Sequence, residues 1–446
     1  MGLGWSFRRF WAATAFSNVA YGMFGVTLTL AAVQITRSPL QISALSMAAG
    51  LPWLLFGLVA GAVADRYDRR RLMVGVQAAR AVVLAVLALV LLAGPAPLWL
   101  LYAIAVVMGS AETVFDTSAQ TILPRVVAAD ELERANSRLT GIELISNFFV
   151  GPPVGGIIVG LSTGASFATG SALYLLAGAA VLSVRGSFRV ERAGPRTSLR
   201  ADIGEGLRYL RGQPLLRRLG LLTGARLFTF TAVSAPLAPY ALAPGPMGLS
   251  TVGYGLFAGS TAIGAVISSL VGERLVARIG AARCLQLTMV AFSVTELSPL
   301  AVQPFVVGVL WNVGTFFVII WNVVTLSVRQ RLVPEHLLGR VNSAFRVVSW
   351  GVIPIGALFG GLMAESVGFR WTFVICAALT ASLALGTRVL SDEGLRTGRL
   401  DDPDRAFTPP TRHRPPTRPG RPAQADRSAR PAPPAPSGDA VSAPPA

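Results

Sequence analysis

Three charged residues stand inside long apolar stretches of this chain, where ionisable groups are rare. Arg80, Glu112 and Glu143 each have mainly apolar neighbours in sequence. In a bilayer each such charge costs on the order of 2.5–3.5 kcal/mol, so it is usually paired or functional. Burial favours the neutral form of a carboxyl group and a nearby Arg favours its charged form, so one acid could take up and release a proton. We predict a proton-carrying interior cluster; a static ion pair is the alternative.

Other polar or aromatic residues in apolar stretches are candidates to line a cavity, with packing as the alternative. The candidates are Asn18, Tyr21, Asn147, Arg226, Trp311 and Asn312. Glu296 is placed near the outer end of its stretch, where we expect it to be hydrated.

Other chemistry has little support in the sequence. No Gly-x-x-x-x-Gly-Lys loop is present, so direct use of ATP is not expected. Cys284 and Cys376 lie far apart, and His336 and His413 fall in connectors, so neither a metal site nor a disulfide is indicated. No nucleophile–base set stands out. The chain is therefore expected to be neither an enzyme nor a cofactor-binding protein.

The elements that position these residues are long apolar segments. The 446 residues are 52% hydrophobic and 14% charged, with a mean hydropathy of +0.58. A helix needs about 20 apolar residues to cross a bilayer. This pattern predicts an all-α integral membrane protein with twelve spans, at residues 11–34, 40–63, 72–94, 97–119, 139–162, 165–185, 218–241, 251–271, 283–302, 304–327, 342–364 and 370–390.

The arginines fall almost entirely in alternate connectors. The exceptions on the poorly charged side are Arg37 and the turn containing Glu365 and Arg370. Cytoplasmic loops carry an excess of Lys and Arg, so both termini are predicted in the cytoplasm and the protein in the cell membrane. The same rule explains the formal charge of +17 better than nucleic-acid binding does.

The predicted spans divide six and six. The expected domains are residues 1–185, a linker at 186–217, residues 218–390, and a disordered cytoplasmic tail rich in Pro and Arg at 391–446. Apolar residues at helical spacing predict an amphipathic linker helix over 199–216, lying on the inner membrane surface or solvated. The segment after span 4 is echoed after span 10, as in transporters built from two similar halves with the substrate site between them.

The loop after span 2 carries a motif. Residues 61–71 read Gly-Ala-Val-Ala-Asp-Arg-Tyr-Asp-Arg-Arg-Arg. This resembles the Gly-x-Leu-Ala-Asp-Arg-x-Gly-Arg-Arg signature of the major facilitator superfamily, with Asp68 where Gly is common. The resemblance implies that fold, and a cytoplasmic gating latch made by Asp65, Arg66, Arg69 and Asp116.

Two further segments narrow the resemblance. The run containing Gly151, Pro152, Gly155 and Gly156 is similar to the core of the superfamily's antiporter motif, or is simply a packing motif. Residues 205–218 are similar to the segment before span 7 in a bacterial efflux branch that includes macrolide and enterobactin exporters.

The branch resemblance implies a monomeric, proton-driven secondary exporter of a small molecule such as a drug, a macrolide-like natural product or a siderophore, working by alternating access. An importer on the same fold, or a non-transporting membrane sensor or scaffold, are the alternatives. The expected partners are the lipid bilayer, the small molecule and protons.

Overall fold

The computed structural model describes residues 4–64, 68–123, 126–184, 199–398 and 400, with the side chains of 56–64, 120, 121, 129, 199–203, 335 and 336 left out. The described chain is almost entirely helical, with one isolated bridge between Leu242 and Leu249. The eighteen α-helices are α1 Trp5–Ile35, α2 Pro39–Ala64, α3 Arg69–Ala93, α4 Leu98–Ile122, α5 Leu132–Leu144, α6 Gly151–Leu161, α7 Thr163–Ser183, α8 Leu199–Gly212, α9 Pro214–Ser234, α10 Leu237–Ala241, α11 Thr251–Ser260, α12 Ala262–Ile279, α13 Ala281–Leu297, α14 Pro304–Leu332, α15 Glu335–Trp350, α16 Ile353–Ser366, α17 Phe369–Thr387 and α18 Asp392–Thr397.

The described residues include ten helical segments long and apolar enough to cross a membrane. They coincide with ten of the twelve predicted spans. The other two predicted spans correspond to α2 and α9. Within α2, Pro39–Leu55 is a shorter apolar helix by the same measure. The all-α membrane architecture is therefore confirmed. That α2 and α9 also cross the membrane stays a prediction.

Three of the spans are interrupted helices. A π-helical segment, Ile145–Val150, joins α5 to α6, and Gly151 with Pro152 follows it at once. A π segment inserts an extra residue into the helical turn, and Pro lacks the N–H that would continue regular hydrogen bonding. The breaks between α11 and α12 and between α15 and α16 fall at Thr261 and Gly351. Each break changes the face that the following helix presents.

Small residues and buried apolar side chains hold the helices together. One core, with Phe24, Leu84 and Phe167 at its centre, packs α1, α3 and α7. Another, with Leu285 and Trp321, packs α13, α14, α9 and the end of α8. Since lipid is as apolar as these side chains, association in the membrane depends on close fit and on buried hydrogen bonds.

The predicted linker helix is present as α8, but it packs on protein. Leu210 is 4% exposed. The Tyr209 hydroxyl donates to the Leu332 carbonyl at 2.9 Å, and Arg340 pairs with Glu205 at 2.5 Å. The amphipathic face predicted for the membrane surface is therefore partly used against α14 and α15.

The segment after the last span is ordered further than the sequence suggested. Within the stretch predicted as a disordered tail, Ser391 caps α18 and Leu395 is buried. The Asp392 carboxylate accepts from the backbone N–H of Ala282 at 2.8 Å, which caps α13. The chain therefore remains folded through Gly398, and residues 401–446 lie outside the described residues.

Candidate functional site

Arg80 and Glu112 form a buried ion pair between α3 and α4. The guanidinium Nη2 lies 2.5 Å from Glu112 Oε2, and the Arg80 and Glu112 side chains are 0% and 10% exposed. Arg80 lies eleven residues beyond Arg69, about 16 Å along α3 at 1.5 Å per residue. Arg80 therefore lies well inside α3, and its contact with Glu112 joins two of the three charges that the sequence analysis grouped as an interior cluster.

Four helices fix the orientation of the Arg80 guanidinium. Nη1 is 3.5 Å from Ser17 Oγ on α1 and 3.4 Å from Gln77 Oε1 on α3. The guanidinium carbon lies 5.5 Å from the centre of the Phe115 ring and 5.1 Å from that of Tyr174 on α7. Cation–π contact is stronger in a desolvated site. A change in the charge of Glu112 would therefore be felt by α1, α3, α4 and α7 together.

Asp116 belongs to the same cluster. It lies one helical turn beyond Glu112 on α4, close enough for the two carboxyl groups to interact electrostatically. Two neighbouring carboxylates disfavour each other's ionised form. Tyr21 lies close enough to interact electrostatically with both acids and with Arg80. The cluster can thus hold one proton beside a fixed cation.

Glu143 lies at the edge of this cluster. Its side chain, on α5, is exposed and has no hydrogen bond or ion pair among the described residues. It interacts electrostatically with Glu112 and Asp116. The structure therefore brings Arg80 and Glu112 into contact, with Asp116 one helical turn away and Glu143 as an exposed acid nearby.

The predicted cytoplasmic latch is only partly visible. Asp65 and Arg66 lie outside the described residues. Asp68 caps α3 by accepting from the backbone N–H of Arg71 at 2.9 Å, and Arg69 is the first residue of that helix. An acid is a favoured N-cap because it satisfies an otherwise unpaired N–H. The departure from Gly at position 68 therefore has a local structural reason, and the latch itself stays a prediction.

The glycines of the antiporter-like motif lie at two helix crossings. A Cβ on Gly151 would come 2.8 Å from the Cα of Gly22 on α1. A Cβ on Gly156 would come 2.8 Å from the Cα of Gly255 on α11. Neither position has room for a side chain. The motif packs α6 tightly against both α1 and α11.

The other cavity candidates mostly make helix contacts. Asn18 donates to the Thr14 carbonyl at 2.9 Å within α1. Asn312 accepts from the Gly264 N–H at 2.7 Å and so joins α14 to α12. The Trp311 ring packs 5.6 Å from that of Phe230.

Asn147 lies in the π segment, and its backbone carbonyl is in close contact with α1 at Gly22. This contact explains why the α1 position is a glycine. Asn18 is buried in the helix packing, whereas Asn312 also lines a cavity of about 750 Å³ formed by α11, α12 and α14.

The expectation for Glu296 is wrong. Its side chain is 0% exposed, buried between α13, α9 and α17, and Arg226 on α9 is 2% exposed. The position of Glu296 along its span indicated depth only. Which face of the helix it occupies depends on packing that hydropathy does not encode.

One end of the bundle is closed by polar contacts that the sequence did not identify as functional. This end, formed by connectors 36–38, 242–250 and 367–368, is called the Arg37 end. The Arg37 guanidinium donates to the carbonyls of Leu242 at 3.1 Å and Ala243 at 2.6 Å. The Ser38 hydroxyl donates to Glu365 at 2.9 Å.

These two contacts join the α1–α2 connector to segments more than 200 residues away. Gly156 meets Gly255 near the same end, and the Leu40 backbone and the Ser43 side chain of α2 lie against α16 at Gly361. In the sequence, Arg37 and Glu365 are exceptions among the poorly charged connectors. Their unexpected charges are the feature that could have indicated these contacts.

Within the described residues, no group of three or more His, Cys, Asp or Glu side chains is placed to hold a metal ion.

Comparison with known proteins agrees with this architecture. The family model described as transmembrane secretion effector matches residues 5–402. An uncharacterised MFS-type transporter of Bacillus subtilis, YfiS, is 28% identical over 81% of this chain and 87% of its own length. The multidrug efflux pump Tap of Mycolicibacterium fortuitum is 27% identical over 77% and 85%.

Macrolide efflux protein A of Streptococcus pyogenes is 24% identical over 85% of this chain and 94% of its own. Among solved structures, a mutant of the nucleoside transporter NupG superposes with a TM-score of 0.70 at 14% identity, covering 86% of this chain and 98% of that one. This last likeness is one of fold.

Proposed function

The chain belongs to the transmembrane secretion effector family of major facilitator transporters, and we propose that it exports a small hydrophobic molecule from the cell in exchange for protons. It is a multi-pass membrane transporter, so its partners are the lipid bilayer and a small-molecule substrate. The family resemblance and the names of the efflux relatives support export, and a drug or macrolide-like natural product as substrate.

The observation that carries the proton-coupled part of the proposal is the Arg80–Glu112–Asp116 cluster. Two carboxyl groups one helical turn apart beside a buried guanidinium resist ionising together, because the cation stabilises one carboxylate and burial opposes a second. Such a group binds a proton in one conformation and gives it up when its surroundings change. The exposed Glu143, next to it, offers a route by which protons could reach the cluster.

Alternating access is proposed to work between residues 1–185 and 218–390. The Arg37 end is closed by hydrogen bonds from Arg37 and to Glu365, and by glycine contacts between α6 and α11. If this end faces outward, as the arginine distribution predicts, the conformation described is the one closed to the outside. Opening it would require these contacts to break while new ones form at the arginine-rich end, where the predicted latch of Asp65, Arg66, Arg69 and Asp116 lies.

The test is efflux from proteoliposomes under an imposed pH gradient, with a macrolide and a panel of hydrophobic drugs and siderophores as substrates. We expect the wild-type protein to move at least one compound only when the gradient is present. Glu112→Gln keeps the shape and removes the charge, and it should abolish the gradient dependence. Glu133→Gln, at an exposed acid of α5, is the matched control and should behave as wild type.

The outcomes separate the alternatives. Movement in the opposite direction would favour an importer on the same fold. Movement that ignores the gradient, with Glu112→Gln fully active, would overturn proton coupling. No movement of any compound would favour the sensor or scaffold interpretation.

A further inference from the structure

Glu296 is a buried carboxyl group without a partner. It is 0% exposed on α13, and neither carboxyl oxygen has a hydrogen-bond partner in the described part of the chain. Its nearest polar neighbours are the hydroxyls of Thr229 on α9 and Thr380 on α17, which hydrogen-bond each other at 2.7 Å. Three helices therefore enclose an acid that the Arg80 cluster does not use.

A cation is close by but does not pair with it. Arg226 interacts electrostatically with Glu296, yet no atom of its guanidinium comes within the 4.0 Å of an ion pair. Its guanidinium instead lies 4.4 Å from the centre of the Phe292 ring, one turn before Glu296 on α13, and its Nε has no hydrogen-bond partner. This arrangement contrasts with Arg80 and Glu112, whose charged atoms touch at 2.5 Å.

The geometry restricts the charge of Glu296. An ionised carboxylate buried without hydrogen bonds or an adjacent cation is strongly unfavourable, and such a group takes up a proton instead. Among the described residues, the other ionisable side chain that interacts with it is Cys376 on α17, which is 1% exposed and carries no positive charge. Arg226 is the neighbouring cation that could stabilise the ionised form.

We propose that Glu296 is a second proton-binding site, in the segment 218–390, and that it releases its proton by pairing with Arg226. In the described conformation the acid is neutral and Arg226 rests on Phe292. On release, the proton leaves to water, and the carboxylate that remains moves into contact with the guanidinium. This inference rests on the proposed proton-coupled function and extends it from one proton-binding group to two.

Pairing requires a rearrangement where α9 packs on α13. Arg226 must leave the Phe292 ring, and the hydroxyl pair of Thr229 and Thr380 must adjust, because it lies against the same carboxyl group. Proton release at Glu296 is thus linked to a change in the packing of α9, α13 and α17. In the Arg80 cluster the acid is already in contact with its cation, so the two sites respond to different conformations.

Infrared spectroscopy of the purified protein in lipid tests the proposal without transport. A protonated carboxyl group buried in an apolar site gives a carbonyl stretching band well separated from that of a carboxylate. We expect the wild type to show such a band at neutral pH and to lose it at alkaline pH. Glu296→Gln, which has nearly the same shape, should remove one component of the band, and Glu112→Gln should leave that component in place.

A second variant tests the pairing. Arg226→Gln removes the cation that is to receive the carboxylate, so the Glu296 component should persist at pH values where it is lost in the wild type. A band unchanged by Glu296→Gln would overturn the proposal, and so would loss of the component at the same pH in Arg226→Gln and wild type. Absence of gradient-driven efflux in the wild type would instead overturn the proposed export function, and it would leave these spectra unaffected.

Discussion

Substitution of Gly255 by Ala should open the Arg37 end of the transporter. A Cβ at this position would lie 2.7 Å from the Pro152 carbonyl oxygen and 2.8 Å from the Cα of Gly156. Carbon atoms in ordinary contact are about 3.5–4.0 Å apart, so α11 and α6 must separate by roughly 1 Å. Overpacking of this kind costs about 1–3 kcal/mol. The cost falls on the closed conformation, in which the helices touch.

A free-energy difference of that size shifts an equilibrium between two conformations by about 5- to 150-fold. Ser43 on α2 is 0% exposed and lies at the contact with α16, so Ser43→Cys provides a reporter that is covered when the Arg37 end is closed. The native Cys284 and Cys376 are both buried. The rate of labelling by a membrane-impermeant maleimide should rise by the same factor in Gly255→Ala.

Gly25→Ala is the matched control, since a Cβ at that position of α1 meets nothing within 4 Å. Its labelling rate should equal that of the reporter protein alone. Equal rates in Gly255→Ala and Gly25→Ala would refute the view that the glycine contact between α6 and α11 holds this end closed.

Three further substitutions test other contacts. Arg80→Met should lower the free energy of unfolding by about 3–5 kcal/mol, because it leaves a buried carboxylate without its cation. Adding Glu112→Gln should recover part of that loss, as measured by thermal unfolding. If the losses of the two single variants simply add in the double variant, the two side chains do not form a direct pair. Arg37→Ala removes two charged hydrogen bonds in an exposed setting, a loss of about 1 kcal/mol. It should raise the labelling rate of the Ser43→Cys reporter about 5-fold. An unchanged labelling rate would contradict the view that Arg37 helps to hold the Arg37 end closed. The Gly206→Val side chain would collide with the α15 backbone, so this variant should detach α8 and speed proteolysis of the linker. Gly204→Val should not, because a Cβ there meets nothing within 4 Å. Equal proteolysis rates in the two variants would argue against packing of α8 on α15.

The positions of the membrane helices follow from hydropathy, but their ends do not. The first span was predicted from residue 11, whereas α1 begins at Trp5 and includes Arg9, whose guanidinium donates to the Ser183 carbonyl at 2.7 Å. Long arginine side chains can reach polar groups beyond the apolar layer, so a helix can extend past the last apolar residue. The π segment at Ile145–Val150 was equally hidden, since hydropathy does not report the hydrogen-bond register of a helix.

Parts of the site could be predicted from the sequence where the spacing of residues along a helix places their side chains close together. Glu112 and Asp116 are four residues apart and so share one face of α4, a signal that could have placed Asp116 with the interior charges rather than only with the latch. Arg80 and Glu112 were grouped with Glu143 because all three are charges inside apolar stretches, and the structure brings the first two into contact. The burial of Glu296 was not, because depth along a span leaves open whether a side chain faces lipid, a cavity or the packed interior.

The two buried charge sites differ in how their charges are held. Glu112 lies 2.5 Å from its cation, Arg80, whereas Glu296 makes no ion pair with Arg226 and lies beside the hydroxyls of Thr229 and Thr380.

If both acids carry protons during transport, this difference means that they cannot release them under the same conditions. The acid already paired with Arg80 needs a loss of contact to bind a proton firmly, whereas Glu296 needs a gain of contact to let one go. A single rocking motion that loosened the first pair and formed the second would therefore load one site while emptying the other. Opposite starting contacts at the two sites would thereby give proton movement an order.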